Sequence, residues 1–165
     1  MHDLALLGRP VGLILKDRKE TVTVAESAAG GLIAAALLAV EGASAYFLGG
    51  TVLYTWDARK ALLGLAPADL PGIRPSSEPY VRAIAAAQRA RFGATWAIAE
   101  SGATGPAPNR YGDAAGHCCF AVDGPVAAAL TLETGSGDRV GNMWAFTAAA
   151  LDLLAQSIRK AGSTR

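Results

Sequence analysis

The fold is decided by VTVAESAAGG at residues 22–31 and by LIAAALL, which follows directly at residues 32–38. A run rich in β-branched residues ends in an acid and a hydroxyl, two glycines follow, and a helix-forming apolar segment begins. This order predicts a strand, a tight turn and a helix. The N–H groups of a first helical turn are unpaired, and the helix dipole favours negative charge there. Ser27 at the edge of this turn is therefore either a nucleophile beside an oxyanion hole or a helix cap.

Length, composition and charge restrict the class of protein. The chain has 165 residues, of which 52% are apolar and 18% charged; this length fits one domain over 1–165, and the composition excludes a disordered chain. No uninterrupted apolar run is long enough to span a bilayer, and the first residues lack the features of a signal peptide. The net charge of +1 comes with scattered basic residues. We therefore expect no membrane partner and no nucleic-acid partner.

The adjacent residues Cys118 and Cys119 are the only cysteines of the chain. Neighbours in a strand point to opposite faces, so a disulfide between them would be strained. Reduced, buried thiols are typical of a cytoplasmic protein. With only His2 and His117 in addition, we predict neither a zinc site nor any other metal or cofactor.

Periodicity and turn residues predict a mixed sheet covered by helices on both faces, in three layers. Helices are predicted over 4–20, from 32 to about 41, and over 57–63, 78–91 and 142–160, with a possible break of the first near Pro10. Strands are predicted over 22–26, in the later part of 45–55, and over 95–99, 116–122 and 126–133. The loop at 101–115, rich in Gly, Pro and Asn, is long enough to suggest a function.

An acid followed by a hydroxyl ends three of the predicted strands. The pairs are Glu26-Ser27, Glu100-Ser101 and Glu133-Thr134, and glycine follows each within a few residues. Ligands of open α/β sheets bind beyond the carboxyl ends of strands, so these pairs predict one common pocket. Two other interpretations stay open: hydroxyls that cap helices with acids that bond to loop backbone, or three carboxylates that hold a divalent cation.

Weaker candidates lie outside these pairs. Tyr54 is either aromatic filler or a wall of the pocket. Arg59 and Lys60 are either the exposed face of a short helix or part of the site. The segment at 110–113 is a candidate lid. Arg139 stands at a helix start, where the dipole disfavours a cation, and is therefore a candidate phosphate contact.

Several stretches in colinear order resemble the C-terminal domain of the CinA (competence/damage-inducible) family. They include the opening stretch, GASAYFLGG at 42–50, VLY at 52–54, LLG at 62–64, Ser77-Glu78, GATGP at 102–106 and GDR at 137–139. The resemblance covers about residues 4–160. It implies an α/β sandwich, a homodimer, and a stand-alone domain without the N-terminal domain of longer members. Because the family includes nicotinamide mononucleotide amidohydrolases, it also implies a hydrolase of NAD metabolism that cleaves a C–N amide bond.

The resemblance assigns roles to particular positions. Ser27 falls on the proposed nucleophile, whose attack would leave an oxyanion for the N–H groups of residues 29–31. Tyr54 matches a tyrosine that precedes a helix carrying a lysine, the usual candidate base. That lysine is replaced by Arg59, which cannot lose its proton, and Lys60 points about 100° away on the helix. Further departures are Ala28 and Ala29 for Cys and Thr, Asp113 for a lysine, and Met143 for a second arginine.

The candidate site residues fall into two groups. As catalytic candidates we take Ser27, Tyr54, Arg59 and Lys60. For contact with the substrate, a pyridine mononucleotide, we take Glu26, Ala29, Gly30, Gly31, Glu100, Ser101, Gly102, Thr104, Gly105, Asn109, Arg110, Asp113, Glu133 and Arg139. Two alternatives remain: a non-catalytic nucleotide-binding module, and a different small-molecule enzyme that uses Glu26, Glu100 and Glu133 as acid–base groups.

Overall fold

The computed structural model describes residues 3–163. Its helices are α1 (Leu4–Arg18), α2 (Leu32–Leu38), α3 (Trp56–Leu63), α4 (Glu78–Phe92) and α5 (Arg139–Gly162). Its strands are β1 (Val22–Glu26), β2 (Phe47–Val52), β3 (Trp96–Gly102), β4 (His117–Asp123) and β5 (Ala128–Glu133). Short 3-10 turns lie at Ala43–Ala45 and Pro67–Asp69.

The strands form one mixed sheet in the order β2-β1-β3-β4-β5. The first three are parallel, whereas β4 runs antiparallel to both β3 and β5. Gly102 at the end of β3 lies opposite Cys118, and Glu133 at the end of β5 lies opposite His117. The ends of β1, β2, β3 and β5 therefore meet at one edge of the sheet, here called the carboxyl edge. All three acid–hydroxyl pairs lie there, as predicted.

Helices cover both faces of the sheet and bury a separate core on each. On one face α1, α2 and α5 pack over residues such as Val24, Trp96 and Phe120. On the other face α4 places Val81 and Ile84 against the small strand residues. The fully buried large side chains are the main stabilising elements, because truncating one to alanine typically costs about 3–5 kcal/mol. The prediction of a three-layer α/β sandwich is confirmed.

Most element boundaries differ from the predicted ones by a few residues; α2 ends at Leu38, for example, and β3 extends to Gly102. Three differences have a local structural reason. Helix α1 continues through Pro10, held by close packing in which a Cβ on Gly8 would lie 2.0 Å from the carbonyl oxygen of Ala36. Strand β2 begins earlier than expected, because its pairing with β1 starts at Phe47. Helix α5 begins at Arg139, because the side chain of Asp138 caps it by accepting the N–H of Gly141.

The cysteines occupy opposite faces of β4. Cys118 lies in the core under α5, and Cys119 in the core under α4. Both are free thiols whose pKa is raised by burial, so neither is activated for chemistry. His2 lies outside the described residues. Within residues 3–163, no helix combines the length and apolar character needed to cross a membrane.

Candidate functional site

The turn after β1 leaves the hydroxyl of Ser27 free. Gly30 and Gly31 adopt φ angles of +67° and +102°, a left-handed region that favours glycine. Helix α2 has Gly31 as its N-cap, without a side-chain cap bond, so Ser27 lies ahead of the turn and does not cap the helix. Ser27 is half-buried, and within residues 3–163 no hydrogen bond from its hydroxyl is formed. The interpretation of Ser27 as a helix cap is therefore wrong.

Glu26 caps helix α2 from inside the protein. Its side chain is 1% exposed, and its carboxylate accepts the N–H groups of Gly31 at 2.9 Å, Ile33 at 3.0 Å and Ala34 at 2.8 Å. Burial raises the pKa of Glu26 to about 7 despite these bonds. The expectation that Glu26 contacts substrate is corrected, because its oxygens are committed to backbone donors.

Glu100 accepts hydrogen bonds from the backbone of the turn itself. It is 2% exposed and accepts the N–H groups of Ser27 and, at 2.8 Å, of Ala29. Burial raises the pKa of this carboxyl too. The N–H of Gly30 bonds to the carbonyl of Ser27 at 3.2 Å. The N–H groups of residues 29–31 are thus all occupied, and the expected oxyanion hole at these donors is wrong.

Glu133 points to a different neighbour. It is exposed and bonds to Nδ1 of His117, whose Nε2 lies 3.0 Å from the carbonyl oxygen of Ser76. Burial alone would lower the pKa of His117, but the bond to Glu133 raises it. Glu26 and Glu100 are close enough for the charge of Glu100 to raise the pKa of Glu26, whereas Glu133 bonds to His117. No group of three or more potential metal ligands was found within residues 3–163, so the divalent-cation and three-carboxylate interpretations lose their basis.

A cavity of about 280 Å³ opens at the carboxyl edge beside Ser27. We call it the serine cavity. It is lined by Ser27, Tyr54, Thr55, Trp56, Arg59, Pro75, Ser76, Ser101, Gly102, Asn109, Arg110 and Tyr111.

A second hollow of about 290 Å³ adjoins it. We call it the loop cavity. It is lined by Ala28, Tyr54, Gly102, Ala103, Thr104, Gly105, Pro106, Ala107, Pro108, Asn109 and Arg139. Tyr54, Gly102 and Asn109 line both, so the two cavities are neighbours, and we call them together the cleft.

Helix α3 turns Arg59 into the serine cavity. Thr55 caps this helix by accepting the N–H of Ala58 at 3.1 Å. Arg59 is only 5% exposed, and its Cζ lies 4.5 Å from the ring centre of Trp56 and 5.3 Å from that of Tyr80. Lys60, one position on, is exposed and does not line either cavity. The two residues therefore do not share an exposed face, and Lys60 is removed from the catalytic candidates.

Arg139 reaches the loop cavity from the start of α5. Its guanidinium donates to the carbonyl of Gly105 at 2.7 Å and to the hydroxyl of Tyr54 at 3.3 Å. It is exposed and lines the loop cavity. This position suits contact with an anionic group at the cleft mouth.

The loop at 109–113 is held over the serine cavity by a salt bridge. Arg74 donates to both oxygens of Asp113, at 2.7 and 2.9 Å, and Asn109 donates to the same carboxylate at 2.9 Å. Burial alone would raise the pKa of Asp113, but the hydrogen bond from Arg74 holds it below its usual range. Asp113 itself does not line either cavity, so its role is to position the loop that carries Arg110 and Tyr111.

The structure therefore separates the predicted site residues into two groups. Those that line the cleft are Ser27, Tyr54, Arg59, Ser101, Gly102, Thr104, Gly105, Asn109, Arg110 and Arg139. Those that do not line it are Glu26, Ala29, Gly30, Gly31, Lys60, Glu100, Asp113 and Glu133.

Trp56 and Ser76 also line the serine cavity, although neither was predicted from the sequence. Trp56 stands three residues before Arg59, a spacing that brings two side chains together on one helix face and could have indicated their contact. Ser76 lies in a proline-rich connection and has a positive φ of 57°. Nothing in its sequence context marks that strain.

Comparison with known proteins agrees with this fold. The family model described as the CinA C-terminal domain matches residues 6–158. A CinA-like protein of Prochlorococcus marinus (strain MIT 9313) is 45% identical over 112 residues, which cover 68% of this chain and 26% of that protein. A CinA-like protein of Chlorobium phaeovibrioides is 34% identical over 158 residues, covering 92% of this chain and 37% of that protein. The chain thus spans about a quarter to a third of the length of these curated relatives.

Solved structures are similar over nearly their whole length. A competence-damaged protein (CinA) superfamily protein from Klebsiella pneumoniae 700603 superposes with a TM-score of 0.88 at 26% identity, covering 96% of this chain and 99% of that one. A protein of the same superfamily from Enterobacter cloacae gives a TM-score of 0.85 at 30% identity, with 96% of each chain covered.

Proposed function

Since this chain belongs to the CinA C-terminal domain family, we propose that it binds a pyridine mononucleotide in the cleft and hydrolyses the carboxamide of nicotinamide mononucleotide through Ser27. One observation carries the proposal: a serine hydroxyl with no bond to another described residue stands at the wall of a cavity at the carboxyl edge. That edge is where ligands of open α/β sheets bind. We further expect a homodimer in the cytoplasm.

The proposed chemistry is acyl transfer through the serine. The Oγ of Ser27 would attack the amide carbon, ammonia would leave, and water would release the carboxylic acid from the ester. The backbone N–H groups of the turn are occupied, so the developing oxyanion needs another donor. Arg59 lines the same cavity, and we assign the role of oxyanion donor to its guanidinium.

The phosphate of the mononucleotide would bind in the loop cavity. Arg139 lines the loop cavity, which shares Tyr54 and Asn109 with the neighbouring serine cavity. A mononucleotide with its ring beside Ser27 and its phosphate toward Arg139 would use both parts of the cleft.

A second candidate is a nucleotide-binding module without amidase activity. One observation favours it: among the described residues that line the serine cavity there is no Lys, His, Asp or Glu to accept the proton of Ser27. Arg59 cannot serve, because a guanidinium stays protonated, and Lys60 is exposed away from the cavity.

Ammonia release from nicotinamide mononucleotide distinguishes the two candidates. The amidohydrolase proposal predicts turnover by the purified protein and a loss of roughly 1000-fold or more in Ser27→Ala. The exposed Ser44→Ala is the matched control and should keep full activity. Turnover that survives Ser27→Ala would reject Ser27 as the nucleophile. Absence of turnover, together with stabilisation by the mononucleotide, would leave the binding module.

A further inference from the structure

The guanidinium of Arg59 is a buried cation without an internal counter-ion. The residue is 95% buried, as its exposure is 5%, and within residues 3–163 no carboxylate forms a salt bridge with it. Its Nε has no hydrogen-bond partner among the described residues. Its neighbours are the rings of Trp56 and Tyr80 and the phenol of Tyr80, to which it is hydrogen-bonded. That phenol is neutral, because burial raises the pKa of Tyr80 to about 12, so it supplies no counter-charge. Burying an unpaired charge is costly, so a group that binds here and supplies the missing anion would be favoured.

Within residues 3–163, the other charged residue that lines the serine cavity is also positive. Arg110 at its mouth is a second guanidinium, and among the described lining residues none carries a carboxylate. The other polar groups that line it are mainly hydroxyls and the amide of Asn109. A cavity with two guanidinium groups and no acid attracts anions and disfavours cations.

The walls of the cavity also fit a flat ring. Tyr54, Trp56 and Tyr111 all line it, and aromatic side chains pack well against planar ligands. The planar guanidinium of Arg59 is suited to bind a carboxylate by two parallel hydrogen bonds. A ring that carries a carboxylate satisfies both features at once.

From these observations we infer that the serine cavity is a subsite for an aromatic carboxylate, and that Arg59 makes this chain prefer the acid form of its ligand to the carboxamide. The inference rests on the proposed function for the class of ligand, a pyridine mononucleotide, and adds the charge of the group that lies beside Ser27. A consequence is that the product of amide hydrolysis binds more tightly than its substrate, so that the acid inhibits turnover.

Calorimetric titration of the full chain carrying Ser27→Ala tests the inference without turnover. The probes are nicotinic acid mononucleotide against nicotinamide mononucleotide, and benzoate against benzamide as ring-only ligands. The acid of each pair should bind at least about tenfold more tightly than the amide, as expected for a charged hydrogen-bonded pair. Equal affinities of acid and amide would overturn the inference.

Variants of Arg59 assign the preference to that residue. In the Ser27→Ala background, Arg59→Met should abolish the preference, and Arg59→Lys, which keeps the charge without the planar fork, should keep only part of it. Arg82→Gln, an exposed arginine on α4 away from the cavity, is the matched control and should keep all of it. A preference that persists in Arg59→Met would contradict the inference; should that variant not fold, an undiminished preference in Arg59→Lys would do so.

The four probes separate this inference from the proposed function. If both mononucleotides bind equally well, the nucleotide site stands and the carboxylate preference falls. If benzoate binds in an Arg59-dependent way and neither mononucleotide binds, the carboxylate subsite stands and the proposed substrate falls. If none of the four binds, both fall.

Discussion

Two neighbouring parts of the carboxyl edge differ in whether every polar atom of their buried charged groups has a hydrogen-bond partner. In the turn after β1, the carboxylates of Glu26 and Glu100 are buried and occupied by backbone N–H groups. At α3, Arg59 is buried almost as deeply, but its Nε has no partner among the described residues. The first arrangement is complete without a ligand, and the second is not. Satisfaction of buried polar groups thus separates the carboxylates that build the turn from the arginine that lines the serine cavity.

The largest expected effect on stability concerns the turn after β1. Glu100→Ala leaves the buried N–H groups of Ser27 and Ala29 without an acceptor, so we expect it to lower the free energy of unfolding by about 4 kcal/mol and the melting temperature by roughly 10 °C. Urea denaturation measures it. The control Glu41→Ala removes an exposed carboxylate and should change stability by no more than about 0.5 kcal/mol. If Glu100→Ala lowered the free energy of unfolding by no more than this control does, the turn would not depend on the carboxylate of Glu100.

The next effect is a pH dependence from Glu26. Its pKa is raised from 4.5 to about 7 in the folded state, so the folded protein holds a proton that the unfolded chain releases. The contribution of Glu26 to stability is therefore full below pH 4.5 and is lost as the pH rises toward 7, by about 3 kcal/mol in total. Relative to Glu26→Gln, the wild type should lose stability between pH 4.5 and 7 in urea titrations. A difference that stays constant or grows in that range would contradict the raised pKa.

A smaller effect on stability is expected at the loop beside the serine cavity. Asp113→Ala removes the salt bridge to Arg74 that holds the loop with Arg110 and Tyr111 over the serine cavity. Because the pair is partly exposed, unfolding should become easier by no more than about 1 kcal/mol. Ligand affinity should fall more clearly, since the loop must then be ordered on binding. Titration with nicotinamide mononucleotide compares this variant with Asp69→Ala, which changes an exposed acid outside the cavity; equal affinities would reject the role of the loop.

The smallest expected effect is the most informative contrast with Glu100. Without ligand, Arg59→Met should be as stable as the wild type, or more stable by up to about 1 kcal/mol, because it replaces a buried cation that has no counter-ion by an apolar side chain. Thermal unfolding of the free protein measures it. A loss above about 2 kcal/mol would show that Arg59 is already satisfied inside the protein and would remove the reason for a ligand at that position.

The sequence predicted the framework well because its signals are local. The β-branched run at 22–26, the glycines at 30 and 31 and the apolar segment after them specify a strand, a turn and a helix on their own. The alternation of further strands and helices was enough to place the three acid–hydroxyl pairs at one edge. Such patterns depend on neighbours along the chain, and the structure confirms them.

The roles of the charged residues could not be predicted in the same way. Alternation along β1 tells which face Glu26 occupies, but not that the N–H groups of residues 31–34 would fold back onto its carboxylate. A charge on a short helix is usually solvated, so the sequence left open whether Arg59 and Lys60 are an exposed face or part of the site. Its burial depends on Tyr80 of α4, a contact between distant parts of the chain that no local pattern records.

The position of the bound ligand is the most direct test, and a crystal structure of Ser27→Ala soaked with nicotinamide mononucleotide would show it. We predict the pyridine ring in the serine cavity, with its carboxamide between residue 27 and Arg59 and its phosphate toward Arg139. Clear density for the nucleotide elsewhere on the protein, with the serine cavity empty, would contradict the account and leave only the fold in place.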